Sequence, residues 1–266
     1  MGVAGKWRNG ARWLLVLAAL FLGIGPQAVR LSGAAEAGKW TREAVVEALA
    51  ESGSSKAFVD SDLSGLDLSG VDFRGANLRS VNLEGANLSG ADLSGANLDI
   101  SALYGADFSG ADLSEASLFS AQAPEASFRN ADLRKARVIG DFSDADFSNA
   151  NLAGVRAGAD MKNQSMGMMN AIFYDANLSG ANMENAELRH ADLRFANLAG
   201  VNARGADLSW ADLSGASFQD AVVSRANVTK ARLGGTDFRE SRDWSSLRGV
   251  DQARERERAH FPESGE

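Results

Sequence analysis

The sequence predicts an all-β solenoid, a stack of coils built from very short strands, with one short helix before it. Three observations lead there. A five-residue unit runs from Ser61 to Glu240: a small residue, Asp or Asn, Leu or Phe, a polar residue, and often Gly. A period of five fits neither the roughly 3.6-residue turn of a helix nor the alternation of a long strand. Within a unit, apolar–polar–apolar describes one minimal strand with two side chains turned inward, followed by a turn.

The amino terminus is a different kind of sequence. Lys6, Arg8 and Arg12 precede a continuous apolar run, Leu14 to Ile24, and small residues follow up to Ala35-Glu36-Ala37. That order predicts a signal peptide spanning residues 1–37, cleaved after Ala37, and a periplasmic or secreted protein. The alternative is an uncleaved membrane anchor, which the run suits less well because it is shorter than the roughly 20 residues of a spanning helix; cleavage leaves no stable anchor. Removing it takes four basic residues and one acidic residue from a chain of net charge −8, leaving −11. A surface this acidic argues against nucleic acid or anionic lipid as a partner. With no Cys, neither disulfides nor thiol-linked lipid can hold the chain.

Residues 38–60 read as an amino-terminal cap. Thr41 is placed to accept the first free amides of a helix over Arg42 to Glu51, and Gly53 to end it. Val45, Leu49 and Phe58 form an apolar face too small for a core of its own. Its expected role is to cover the open first coil; the other reading is a homodimer contact through an end cap.

In residues 61–140 the central apolar position recurs every five, as at Leu63, Leu68, Phe73, Leu78, Leu83 and Leu88. Gly at the third turn position, as at Gly65, Gly70 and Gly75, suits a turn that needs positive φ there. The residues alone do not fix how many faces close a coil. The A-(D/N)-L-x-x array, written out at Ala86 to Leu98, resembles the pentapeptide-repeat family. That resemblance implies a right-handed, four-sided β-helix of twenty residues per coil. The Leu/Phe and Ala positions would face inward, with Phe108 over Phe128 and Phe218 over Phe238. About eight coils are expected.

The frame slips by one residue after Gly140, fails from Arg156 to Asn170 and resumes at Ala171. Residues 155–170 therefore read as a bulged coil or protruding loop, a place where function concentrates. From Ser241 the pattern dissolves, and residues 241–266 are expected to be a cap and charged tail. Trp244 and Leu247 would cover the last coil, and Arg254 to Arg258 would form a solvated helix or frayed end.

Three groups of residues are candidate sites. Stacking at twenty residues puts Asp72, Asp92, Asp112 and Asp132 in one outward column, an acidic face for a basic partner or a weak calcium site. Such a ladder needs compensation; Arg74 and Arg134 would screen its ends, while Ser94 and Ser114 leave its middle open. His190, Trp210 and Lys230 align at one corner, with Arg189, Arg194, Phe195 and Tyr174 expected nearby, a composition suited to protein contact. Met161, Met166, Met168 and Met169 could hold Cu(I) through thioethers, or fold over outward-facing Ile100, Phe119 and Ile139 as apolar filling. Each group also has a structural explanation, since Asp and Asn suit the position before the central Leu.

No catalytic grouping is visible. The chain has two His residues, His190 and His260, no Cys, and no phosphate-cradling or zinc motif. The expected function is an exported, non-enzymatic scaffold that needs no cofactor and binds another protein. The family resemblance adds an alternative, an acidic rod that mimics duplex DNA and binds DNA gyrase. Copper binding by the methionine loop is the weaker alternative.

Overall fold

The computed structural model describes residues 40–51, 58–159 and 169–262. The expected export segment, residue Gly53, and Met161, Met166 and Met168 lie outside these. The chain divides into two compact units after Glu51. In the first, α1 spans Arg42–Glu51. Thr41 Oγ1 accepts the Ala44 N–H at 3.2 Å, as its position predicts, and Val45, Ala48 and Leu49 are buried.

The second unit is a four-sided coil. Asp62 bridges to Asn82, Asp67 to Asn87, Asp72 to Asp92 and Asn77 to Asn97, all in parallel. Each bridge joins residues twenty apart, and four bridges occur per turn. We number the sides one to four in that order. The fourth corner joins side four back to side one. At each rung the central residue donates one way and the Asp or Asn the other. Leu63 N–H reaches Asn82 O at 2.8 Å, and Asn82 N–H reaches Ser61 O at 2.9 Å. The turn closes locally, with Leu66 N–H on Leu63 O at 3.3 Å.

The inward set is apolar throughout. Leu63, Leu68, Leu78, Ala106 and Phe108 are completely buried. Each Leu or Phe taken from water in this way contributes about 1.5–3 kcal/mol, which lets a chain without disulfides hold together. Side two carries the largest rings. Phe108, Phe128 and Phe147 stack at 5.0 and 4.6 Å, and Phe218, Phe238 and Phe261 at 4.8 and 5.3 Å. The two stacks foreseen in the sequence are present, each extended by one ring.

The structure also explains the preference for Asp or Asn before the central residue. The side-chain oxygen accepts the backbone N–H two residues on: Ser64 onto Asp62, Glu84 onto Asn82 and Ser109 onto Asp107, at 2.9–3.1 Å. Asn side chains add a rung-to-rung bond, as from Asn82 to Asp62 at 3.1 Å. The position is thus structural first.

Regular pairing departs from twenty in three places. Around Gly140 one residue is missing, so Ser127 pairs with Asp146 and Arg137 with Arg156. Here β1 (Ser117–Gln122) and β2 (Arg137–Asp141) run straight across the fourth corner, with a bulge in β1 after Phe119. Next, Arg156 pairs with Glu187, and β3 (Ala171–Ile172) rejoins β2. The pairing interval here is thirty-one rather than twenty, and the added length falls between the described residues Ala159 and Met169, at the fourth corner.

The third departure corrects the reading of the carboxyl terminus. Arg254 to Arg258 is not a solvated helix or frayed end; it belongs to another coil, formed by residues 241–260. Val222, Asn227, Arg232 and Asp237 pair with Arg242, Arg248, Arg254 and His260, so the last coil advances six residues per side. The additional residue is taken up in single 3-10 turns at Trp244–Ser246, Val250–Gln252 and Arg256–Arg258. Trp244 does contribute to closure, its ring 5.5 Å from Phe261. At the other end Phe58 belongs to the coil rather than to the helix: its N–H reaches Asn77 O, and its ring meets Phe73 edge-on at 6.2 Å. These additions give side one ten rungs, from Asp62 to Arg254, against the eight coils expected.

Candidate functional site

A turn in this coil needs one residue with left-handed backbone, and glycine takes that conformation at no steric cost. At the first and second corners the seat holds five glycines each, and at the third four, for example Gly65, Gly70 and Gly75. The fourth corner differs. Among the described residues its left-handed seats up to the last coil hold Asp60, Ser80, Ile100, Ser120, His190, Trp210 and Lys230, with φ between 58° and 63°. A β-branched or aromatic residue there is an outlier, with a cost of about 1–2 kcal/mol each. The side chains at this corner are present despite the backbone.

His190, Trp210 and Lys230 do form one column there. The His190 and Trp210 rings stack at 5.5 Å, and Lys230 Nζ lies 4.4 Å from the indole centre. Arg254, from the last coil, adds its guanidinium at 5.6 Å. Trp210 remains 38% exposed, so the ladder does not consume its surface. Burial, and then the charge of Arg189, hold His190 below the ordinary imidazole pKa, so it stacks as a neutral ring near neutral pH. Arg189 itself lies 4.0 Å from Asp207.

The other aromatic residues expected here sit one corner on, across side one. Phe195 meets Tyr174 edge-on at 5.7 Å, and Arg194 lies over Tyr174 at 5.2 Å while pairing with Asp192 at 2.7 Å. The sequence grouping is therefore two clusters on adjacent corners, with side one between them. Phe195 also occupies a left-handed seat (φ 61°), and its ring lies over Gly215, where a Cβ would approach it to 2.6 Å.

The fourth corner gathers more than its aromatic column. Ile100 is 47% exposed there, Phe119 lies under the Arg137 guanidinium at 3.8 Å, and Ile139 is buried. The roots of the insertion leave from the same place: Ala159 N–H reaches Arg189 O, and Asn170 Nδ2 donates to His190 O at 2.8 Å. Of the loop methionines only Met169 is described, half-buried beside that root. The missing residue at Gly140 and the insertion both change the numbering by amounts other than twenty. Counting in twenties therefore hides that these features share one corner.

The acidic column is on side three. Asp72, Asp92, Asp112 and Asp132 bridge in succession and then give way to Asn151, Asn182 and Asn202. It is more compensated than the sequence suggests. Arg74 pairs with Asp72 at 2.6 Å and also reaches Asp92 at 3.6 Å, while Arg134 holds Asp132 at 2.5 Å. Ser94 donates through N–H and hydroxyl to Asp92, and Ser114 N–H to Asp112. No cluster of three metal-ligating His, Cys, Asp or Glu side chains occurs among the described residues.

Comparison with known proteins agrees with this architecture. Pentapeptide repeats, in eight copies, match residues 58–95, 96–138, 171–209 and 206–242. No curated protein matches the chain. Among solved structures, the chain is similar to HetL, a pentapeptide repeat protein involved in heterocyst differentiation regulation from the cyanobacterium Nostoc sp. strain PCC 7120. Identity is 27% over 85% of this chain and 99% of that one, with a TM-score of 0.42. It is also similar to a trypsin-treated variant of QnrB1, a plasmid-mediated fluoroquinolone resistance protein, at 26% identity over 71% and 89% of the two chains and a TM-score of 0.38. The repeats match more than half of the sequence, and the chain belongs to the pentapeptide-repeat family.

Proposed function

We propose that this protein is a non-enzymatic scaffold, a right-handed β-helix that binds another protein at its fourth corner around Trp210. One observation carries the reading. At that corner three successive left-handed seats stack an imidazole, an exposed indole and a cation. Among the described residues no seat there with φ near 60° before the last coil holds glycine, whereas glycine fills fourteen seats at the other three corners, where Lys135, Phe195 and Arg225 stand singly. Backbone strain kept at an exposed position is a mark of a side chain retained for contact. The family supplies the scaffold; the corner supplies the surface.

The scaffold works outside the cytoplasm in this reading, after removal of residues 1–37, whose basic, apolar and small-residue order supports export. Two measurements test it. The mass of the protein recovered from cells gives its amino terminus; retention of residues 1–37 in the cytoplasm would sink export. A photo-cross-linking residue at position 210, compared with one at position 90, tests the surface. Equal capture at both sends the docking site elsewhere.

The acidic column supports the alternative of a duplex-mimicking rod less well, because Arg74 and Arg134 already pair with three of its four carboxylates. That alternative requires purified protein to inhibit gyrase supercoiling. Unchanged supercoiling at micromolar protein removes it.

A further inference from the structure

The surface around Trp210 carries its own chemical specification. The chain has an excess of acidic residues, net −8, and most arginines beside side one are already engaged. Arg194 pairs with Asp192, and Arg232 spans Asp212 at 3.7 Å and Glu255 at 3.1 Å. Lys230 and Arg254 are different. Among the described residues neither has a carboxylate within 4.0 Å, and each contributes its charge to the Trp210 ring instead. Both are exposed. The fourth corner is thus a short basic and aromatic stripe on an acidic molecule.

Its backbone anchors are in succession, Arg254 standing on side one at the edge of the fourth corner, and the Lys230 and Arg254 side chains both reach back toward Trp210. His190, Trp210, Lys230 and Arg254 occupy four successive coils. At ~4.8 Å per coil the stripe runs roughly 14 Å along the stack axis. An extended peptide rises about 3.3 Å per residue, so four or five residues cover that length, with alternate side chains facing the stripe. The cation–aromatic contacts hold Lys230 and Arg254 in place without neutralising them, so an arriving carboxylate displaces no existing ion pair.

We infer that the fourth corner binds an acidic polypeptide segment in extended form, an apolar or aromatic side chain lying on His190 and Trp210 and carboxylates two and four residues on meeting Lys230 and Arg254. This rests on the docking reading above and adds the chemistry of the partner.

The test uses the purified chain and fluorescein-labelled peptides of sequence Phe-Ser-Glu-Ser-Glu, with versions carrying Lys for Glu or Ser for Phe, and a labelled single-stranded DNA. Anisotropy should show the acidic aromatic peptide bound in preference to the other three, with affinity falling as salt rises. Trp210→Gly, and Lys230→Gly with Arg254→Ser, should each weaken binding by about tenfold or more. Phe195→Gly, at the neighbouring corner, should leave it unchanged. Glycine suits the left-handed seats of Trp210, Lys230 and Phe195, and Arg254 is an exposed rung residue, so these variants keep the fold, and a thermal melt verifies that. No binding of the acidic peptide, equal binding of the Lys version, binding of DNA in its place, or indifference to Trp210→Gly each overturns the proposal. A basic partner cross-linked at position 210 would overturn this chemistry and leave the docking site standing. Failure of cross-linking there would remove both.

Discussion

The interior of side two and the fourth corner obey opposite rules. Inside, Phe108, Phe128 and Phe147 stack within 5.0 Å of their neighbours and are wholly buried. Every atom there lowers the free energy of the fold. At the corner, Ile100, His190, Trp210 and Lys230 sit in a backbone conformation that disfavours them, with side chains at least partly exposed. In a repeat protein the consensus residue at each position is the one the scaffold prefers. Asp, Asn and Glu replace glycine at the other corners too, and Lys135, Phe195 and Arg225 do so singly; it is the stack of His190, Trp210 and Lys230 in three successive seats that separates what the scaffold needs from what something else needs.

The largest effect expected is in the interior. Phe128→Ala removes the middle ring of a three-ring stack and leaves a cavity that rigid coils cannot close, with a cost of about 4 kcal/mol by chemical denaturation. A loss below about 1 kcal/mol would mean that the coils relax around the gap and that the interior is not the stabilising region. Gly140→Ala comes next. Its Cβ would stand 2.2 Å from Ala121 O at a φ of +154°, so the backbone must move, with an expected loss of about 3 kcal/mol. Here the fourth corner does depend on glycine, because the bulge after Phe119 brings the Ala121 backbone against it.

The third prediction has the opposite sign. Ile100→Gly should stabilise the protein by about 1 kcal/mol, since the left-handed strain of a β-branched residue exceeds the entropy lost on ordering glycine. Destabilisation would show that Ile100 is held in its seat by contacts within the fold. The smallest effect is electrostatic. Arg239, bonded to Asp237 at 2.7 Å and through Nε at 3.0 Å, holds that carboxyl down to about 2. A depressed carboxylate pKa adds stability that is complete above the ordinary range and fades as pH falls toward about 2. Asp237→Asn should lower stability modestly at neutral pH, the pair being partly exposed, and flatten the profile in that acid window, where the two proteins converge. An identical acid slope in the variant would place the sensitivity elsewhere.

Much of this contrast could be read from the sequence. The five-residue period determines which side chains face inward, and counting in twenties finds Phe108 over Phe128, the column of Asp72 to Asp132, and His190, Trp210 and Lys230 in line. The same counting fails where the coil changes length. Phe147 joins its stack nineteen residues after Phe128, and Phe261 joins its own twenty-three after Phe238; a fixed period cannot find either. The shared corner of Ile100 and His190, ninety residues apart, is hidden for the same reason. Side-chain reach is a second limit. Arg74 spans two rungs to Asp92, and Arg254 reaches from side one back to Trp210.

The last coil carries a consequence for assembly. Parallel coils leave an open rung at each end of a stack, and an identical end on another molecule is a template for fibre growth. Residues 241–260 step six per side where the preceding coils step five. A five-residue coil laid on them would lose alignment at every corner, each side shifting the mismatch by one more residue. This coil therefore presents a surface that the five-residue repeat cannot extend in register.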